Sequence, residues 1–183
     1  MSNSDNNVKS GGSAGVPDNK GKLFDAASKG LFSECEKLII NDKVDVNEAQ
    51  PDGETPLWIA SKKGYYIICE LLIKYRAAIN KANKDLETPL CIAADNNHLS
   101  VCELLVKHGA NANIGRKWGV LRQTPYAIAE TQGYYDVSDF LRWYTTNSSS
   151  KDDRFLMIVV ALQELILYHE VDALSLIDLL QMT

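Results

Sequence analysis

Thr55-Pro56-Leu57-Trp58-Ile59-Ala60 returns as Thr88-Pro89-Leu90-Cys91-Ile92-Ala93 and again as Thr124-Pro125-Tyr126-Ala127-Ile128-Ala129, at spacings of 33 and then 36 residues. Each phrase is a helix start. The threonine hydroxyl can accept a free amide of the first turn. The proline that follows has no N–H to waste and its φ is already helical. Leu57 and Ile59 supply apolar contact, and Ala60 lets a neighbouring helix come close. Gly64 ends the helix in a left-handed turn. A second helix follows, Tyr66 to Tyr75, with Ile68, Leu71 and Leu72 at helical spacing. Then come Ala77-Ala78-Ile79-Asn80 and a polar tight turn before Thr88. A unit repeated at this period predicts a stack of small helical pairs rather than one core wrapped around a pocket.

The next unit keeps the order, with Leu90, Ile92 and Ala93, then Leu99, Val101, Leu104 and Leu105, then Gly109-Ala110-Asn111-Ala112-Asn113. Asn97 stands where Gly64 stood, and asparagine tolerates the same left-handed backbone. Together these motifs resemble the ankyrin repeat, whose signature is Thr-Pro-Leu-His-x-Ala-Ala, then Gly, then Val-x-x-Leu-Leu, then Gly-Ala-Asp-Val-Asn. The resemblance implies an all-α solenoid of about four helix-turn-helix units over residues 20–144, with units 20–50, 51–83, 84–116 and 117–144. It also implies a protruding turn, the finger, in each unit and a concave face that binds proteins.

The chain departs from the family pattern in several places. Gly21-Lys22-Leu23-Phe24-Asp25-Ala26-Ala27 replaces the Thr-Pro phrase, and Asp25 stands at the position of Ile59, Ile92 and Ile128. An end unit lacks one neighbour, so a charge there suits an N-terminal cap, which Val44-Asp45-Val46-Asn47 closes. The usual histidine is Trp58, Cys91 or Ala127. The turn before Thr124 carries three extra residues within Lys117-Trp118-Gly119-Val120-Leu121-Arg122-Gln123. Arg142 sits where the preceding unit has Val106.

Residues 1–19 are rich in Ser, Asn, Gly and Asp and read as a disordered tail. Residues 145–153 read as a linker. Residues 154–183 read as a C-terminal helix pair, apolar on nearly every side from Phe155 to Tyr168 and therefore in need of a covering surface. One reading makes this pair a degenerate fifth layer sealing Phe140, Leu141 and Trp143. The other makes it a docking element for a second chain, a dimer or a larger assembly.

The formal net charge of −5 argues against nucleic acid as the main ligand, because phosphate binding needs a basic face. No run reaches the roughly 20 apolar residues needed to span a bilayer. The start, Met-Ser-Asn-Ser-Asp, has no apolar signal region, and a cytoplasmic protein is expected, with the nucleus also open. Cys35, Cys69 and Cys102 fall at equivalent positions in successive layers, too far apart for a disulfide or a single zinc ion, and with Cys91 they read as small buried apolar side chains. The histidines, His98, His108 and His169, sit in no catalytic or metal-ligand spacing, and the carboxylates read as scattered over the surface. No cofactor and no enzymatic activity are expected.

What the resemblance implies about contact positions can be placed residue by residue. The finger positions are Pro51, Asp52 and Glu54, then Lys84, Asp85 and Glu87. The exposed first-helix positions are Ser28 and Lys29, Lys62 and Lys63, Asp95 and Asn96, and Thr131 and Gln132. The row is basic in the first two units and acidic or neutral in the last two. An acidic segment of a partner protein is expected over Lys29, Lys62 and Lys63. Trp118, Leu121 and Arg122, with Val120, form an enlarged turn that either anchors a partner or folds back on the stack. The expected role is an adaptor or inhibitor, with a monomer expected ahead of a homodimer.

Overall fold

The computed structural model describes residues 21–119 and 121–147. The expected tail at 1–19 and helix pair at 154–183 lie outside the described residues. Four helix pairs follow one another: α1 (Lys22–Ser28) with α2 (Phe32–Ile40), α3 (Pro56–Lys63) with α4 (Tyr66–Lys74), α5 (Pro89–Asp95) with α6 (Leu99–Lys107), and α7 (Pro125–Gln132) with α8 (Tyr135–Asn147). One two-stranded ribbon, β1 (Arg116–Trp118) and β2 (Leu121–Gln123), precedes α7. The first helices α1, α3, α5 and α7 pack in a row, each on the next, and the second helices form a parallel row behind them.

The Thr-Pro phrases do what their chemistry predicts. Thr55, Thr88 and Thr124 accept through Oγ1 from the amides of Trp58, Cys91 and Ala127 at 3.1, 3.2 and 3.3 Å. Gly64 and Gly133 close their helices at φ 71° and 76°, and Asn97 takes φ 60° at the equivalent place. Ala60, Ala93 and Ala129 are fully buried, which is how the first helices approach one another. Leu57 and Leu90, then Leu72, Leu105 and Leu141, recur as buried core positions.

Polar laces tie successive layers at their far turns. Asn47 accepts from the amide of Ala78 at 2.6 Å and donates to the Arg76 carbonyl at 3.3 Å. One layer on, Asn80 accepts from the amide of Asn111 at 2.9 Å and donates to the Gly109 carbonyl at 3.3 Å. His98 reaches back across a layer, its Nε2 3.1 Å from the Lys62 carbonyl, with its ring against Gly64 where a Cβ would lie 2.6 Å away. Gly64 is therefore required twice, for its backbone angle and for this contact.

Both ends of the described stack are polar where the interior is apolar. At the front, Asp25 is exposed at the position buried as Ile59, Ile92 and Ile128. At the back, Glu130 is exposed where Ser61 and Ala94 are buried, and Arg142 is exposed where Ile39 and Val106 are buried. Tyr126 occupies the buried leucine position. These three bond together: Tyr126 Oη donates to Glu130 Oε1 at 2.6 Å, and Arg142 Nη2 lies 3.3 Å from the same oxygen, its guanidinium 5.3 Å from the Tyr126 ring centre.

Two sequence expectations are corrected here. Leu141 is not an end residue awaiting a lid, because it packs in the core with Leu72 and Leu105. The linker does not begin at Thr145, because α8 runs on to Asn147. The hydroxyls of Thr145 and Thr146 bond back to carbonyls of Leu141 and Arg142, at 2.9 and 3.0 Å, so the helix continues without leaving them bare.

Candidate protein-binding face

The three turns that precede α3, α5 and α7 form a linked row of fingers. Lys84 N–H donates to the Asp52 carbonyl at 2.9 Å, and Lys117 N–H donates to the Asp85 carbonyl at 3.0 Å. Each finger therefore takes one backbone bond from the next. Gly53 makes the first turn at φ 86°, with Asn83 Cα 3.1 Å from where its Cβ would lie. Leu86 holds the second turn at φ 61°, a left-handed backbone that costs a leucine about 1–2 kcal/mol. The third finger is the ribbon itself, its three extra residues having lengthened a turn into two strands. Gly115 permits this, since a Cβ there would stand 2.6 Å from the Gln123 carbonyl oxygen.

Behind the ribbon lies a charge cluster that the sequence reading missed. Arg116 Nη1 lies 3.1 Å from Asp95 Oδ2 and 3.4 Å from Glu87 Oε1. Its Nε donates to Gln123 Oε1 at 3.4 Å. Asn83 Nδ2 donates to Glu87 Oε2 at 3.0 Å, and Gln132 Nε2 donates to Asp95 Oδ1 at 3.3 Å. The three charged side chains are only 13%, 18% and 22% exposed, so this is a mostly desolvated cluster and not a surface pair. It ties finger two, α5, the ribbon and α7 together. The expectation of scattered carboxylates is therefore corrected: Glu87 and Asp95 converge on one guanidinium. Each of their four carboxylate oxygens already holds one partner inside the cluster. The arginine stands in the irregular turn before the third Thr-Pro phrase, where no repeat position suggests a role.

The remaining candidates divide clearly. Lys29, Lys63, Asp52 and Asp85 are exposed, and Asp52 pairs with Lys84 at 3.9 Å. Lys62 is half-buried, with its ammonium 5.0 Å above the Trp58 ring centre. Trp58 is buried between layers, and among the described residues its indole N–H is a buried side-chain donor without a partner. Glu54 is half-buried, and burial pushes its carboxyl above the ordinary range, with Lys62 opposing and Asp52 and Glu87 adding to the rise. Asn96 and Thr131 bond their own helices, Asn96 to the Ile92 carbonyl at 2.8 Å and Thr131 to the Ala127 carbonyl at 2.9 Å. Leu121 is 68% exposed and Arg122 is exposed. Trp118 pairs with Leu121 across the ribbon, and the reading of its side chain as an anchor lies outside what is described.

All four cysteines are free and buried. Burial raises every one of these thiols, Cys35 to about 11 and Cys69 to about 12. Among the described residues no cluster of three or more His, Cys, Asp or Glu could hold a metal ion, and no helix is long and apolar enough to cross a membrane.

A family model for ankyrin repeats, in three copies, matches residues 23–117, more than half of the 183-residue chain. The chain belongs to the ankyrin repeat family. No curated protein matches it. Ankyrin repeats are generally protein–protein interaction modules, and the family is typically a non-enzymatic scaffold. The fourth helix pair of this ankyrin stack, α7 with α8, lies beyond the matched residues and carries the same threonine cap and buried alanine as α3 and α5.

The Arg116 cluster yields a stability prediction. Arg116→Gln leaves two mostly buried carboxylates facing each other, and urea unfolding is expected to show a loss of about 2 kcal/mol, less than a fully buried pair because water still reaches it. Adding Glu87→Gln and Asp95→Asn to that variant should restore most of the loss. A cost no larger than that of an exposed pair would remove the cluster's structural role.

Proposed function

We propose that this chain recognises another protein, as an adaptor or inhibitor, by laying an acidic segment of its partner along the first-helix row over Lys29, Lys62 and Lys63. The observation that carries the reading is the state of these cations. Among the described residues none of the three forms an ion pair, while the cationic Arg116 of the ribbon is held between two carboxylates. Lys62 is held over Trp58 by a cation–π contact, which limits its freedom before any partner arrives. Fixing a charge in advance lowers the ordering cost of binding. The exposed finger carboxylates Asp52 and Asp85 would repel an acidic segment that strayed onto the fingers.

The test begins with a partner recovered by affinity capture and identified by mass spectrometry. Titration calorimetry of Lys62→Glu, Lys63→Glu should then show an affinity at least tenfold weaker, with the melting temperature unchanged. An unaltered affinity would remove this placement of the partner.

A second reading makes the chain a subunit of a larger assembly, joined through the apolar sequence at 154–183. The charged end of the described stack supports it, because Tyr126, Glu130 and Arg142 bond to one another at positions that are apolar inside the stack. Deleting residues 150–183 should leave the melting temperature unchanged and abolish any oligomer seen by light scattering. A melting temperature lowered by several degrees would instead assign that sequence to capping the stack.

A further inference from the structure

The ribbon β1–β2 carries a feature that the basic row does not explain. Its register pairs Arg116 with Gln123, Lys117 with Arg122 and Trp118 with Leu121. In an antiparallel ladder opposed pairs alternate between hydrogen-bonded and non-bonded. Lys117 sends its N–H sideways to the Asp85 carbonyl of the preceding finger, so Lys117 and Arg122 form a non-bonded pair. Two consequences follow. The Arg122 N–H and C=O point away from β1, along the outer edge of β2. The side chains of Lys117 and Arg122 also stand directly opposite on one face, with Cα atoms about 4.5 Å apart.

Like charges directly opposite on a ribbon are destabilising. Both side chains are exposed, and among the described residues neither is joined to a carboxylate or an aromatic ring. Outside the ribbon, no backbone group of those residues bonds the Arg122 backbone either. A single cation on a strand edge serves to discourage unwanted pairing. Here a second cation faces the first, so the edge repels most strands and favours one that brings a carboxylate, and Leu121 beside them is 68% exposed. The row of fingers runs in one direction, Asp52 to Lys84 and Asp85 to Lys117, and ends at this open strand with no described finger to follow.

The geometry points to β2 as a docking edge for an extended acidic segment of a partner protein, added as a third strand. A residue opposed to Arg122 would exchange N–H and C=O bonds with it. The side chain of that residue would lie on the face that carries Arg122 and Lys117, where a carboxylate relieves their repulsion. The neighbours of that acidic residue would lie on the opposite face, beside Leu121, where an apolar side chain is favoured. The recognised pattern is therefore apolar, acidic, apolar in an extended backbone. The site is distinct from the Lys29, Lys62 and Lys63 row and stands or falls without it.

The probe is the acetylated and amidated peptide Val-Glu-Val-Glu-Val, titrated into the isotopically labelled full chain and followed by amide shifts. Saturable binding is expected, with the largest shifts at Leu121 and Arg122. Arg122→Glu should weaken it at least tenfold without lowering the melting temperature, since that change removes the like-charge pair. Lys62→Glu, Lys63→Glu should leave it unchanged. N-methylation of both glutamates of the peptide should also weaken it at least tenfold, a control on the unaltered protein that tests the backbone bonds alone. The proposal is overturned by absent saturation, by equal binding of the N-methylated peptide, or by shifts confined to α1 and α3. Tighter binding of oligothymidylate than of the peptide, or a concentration-dependent dimer built on the Arg122 edge, would overturn it equally, in favour of nucleic acid or a second copy.

Discussion

No helix of the first row exceeds eight residues, and helices that short do not persist alone in water. Their stability has to come from the neighbouring layer. The buried alanines at 60, 93 and 129 let each first helix close on the next, and the threonine caps satisfy amides that such close packing shields from water. Because each layer touches only its neighbours, stability is approximately a sum of layer and interface contributions. The interfaces are where this chain invests its polar bonds: the Asn47 and Asn80 laces, the His98 contact over Gly64, and the backbone links between fingers.

The same constraint shapes the surface. Stacking fixes the first helices side by side, which brings Lys29, at the end of α1, and Lys62 and Lys63, at the end of α3, to matching ends of neighbouring helices. Asp25 in the first described layer and Glu130 with Arg142 in the last supply charge at positions that are apolar inside. The third finger is the exception to the repeat. Three inserted residues let it become a ribbon, and Arg116 anchors that ribbon to the stack through Glu87 and Asp95. Exposed and structural positions are interleaved: at the ends of the first helices Lys63 is exposed while Asp95 is bonded to Arg116 and Gln132.

What the sequence revealed, and what it hid, divide along one physical line. Features set by local backbone chemistry were legible: the Thr-Pro caps, the left-handed Gly64 and Asn97, the buried cysteines at equivalent positions, and the charged Asp25 at a stack end. Features that depend on side chains meeting across layers were not. Glu87 stands in the second finger and Asp95 at the end of α5, and only the ribbon's return brings Arg116 against both. Lys62 and Trp58 are four residues apart on a helix and could have been paired from spacing alone. The extension of α8 through Thr145 and Thr146 was hidden because threonines in sequence look like a linker until their hydroxyls find helix carbonyls.

Native-state hydrogen exchange measures the dependence of each layer on its neighbours most directly. If stacking carries the stability, amides of α3 and α5, flanked on both sides, should be the most protected, with protection falling outward to α1. Protection equal in α1 and α5, or lost together at one free energy for every helix, would contradict a structure held by nearest-neighbour contacts.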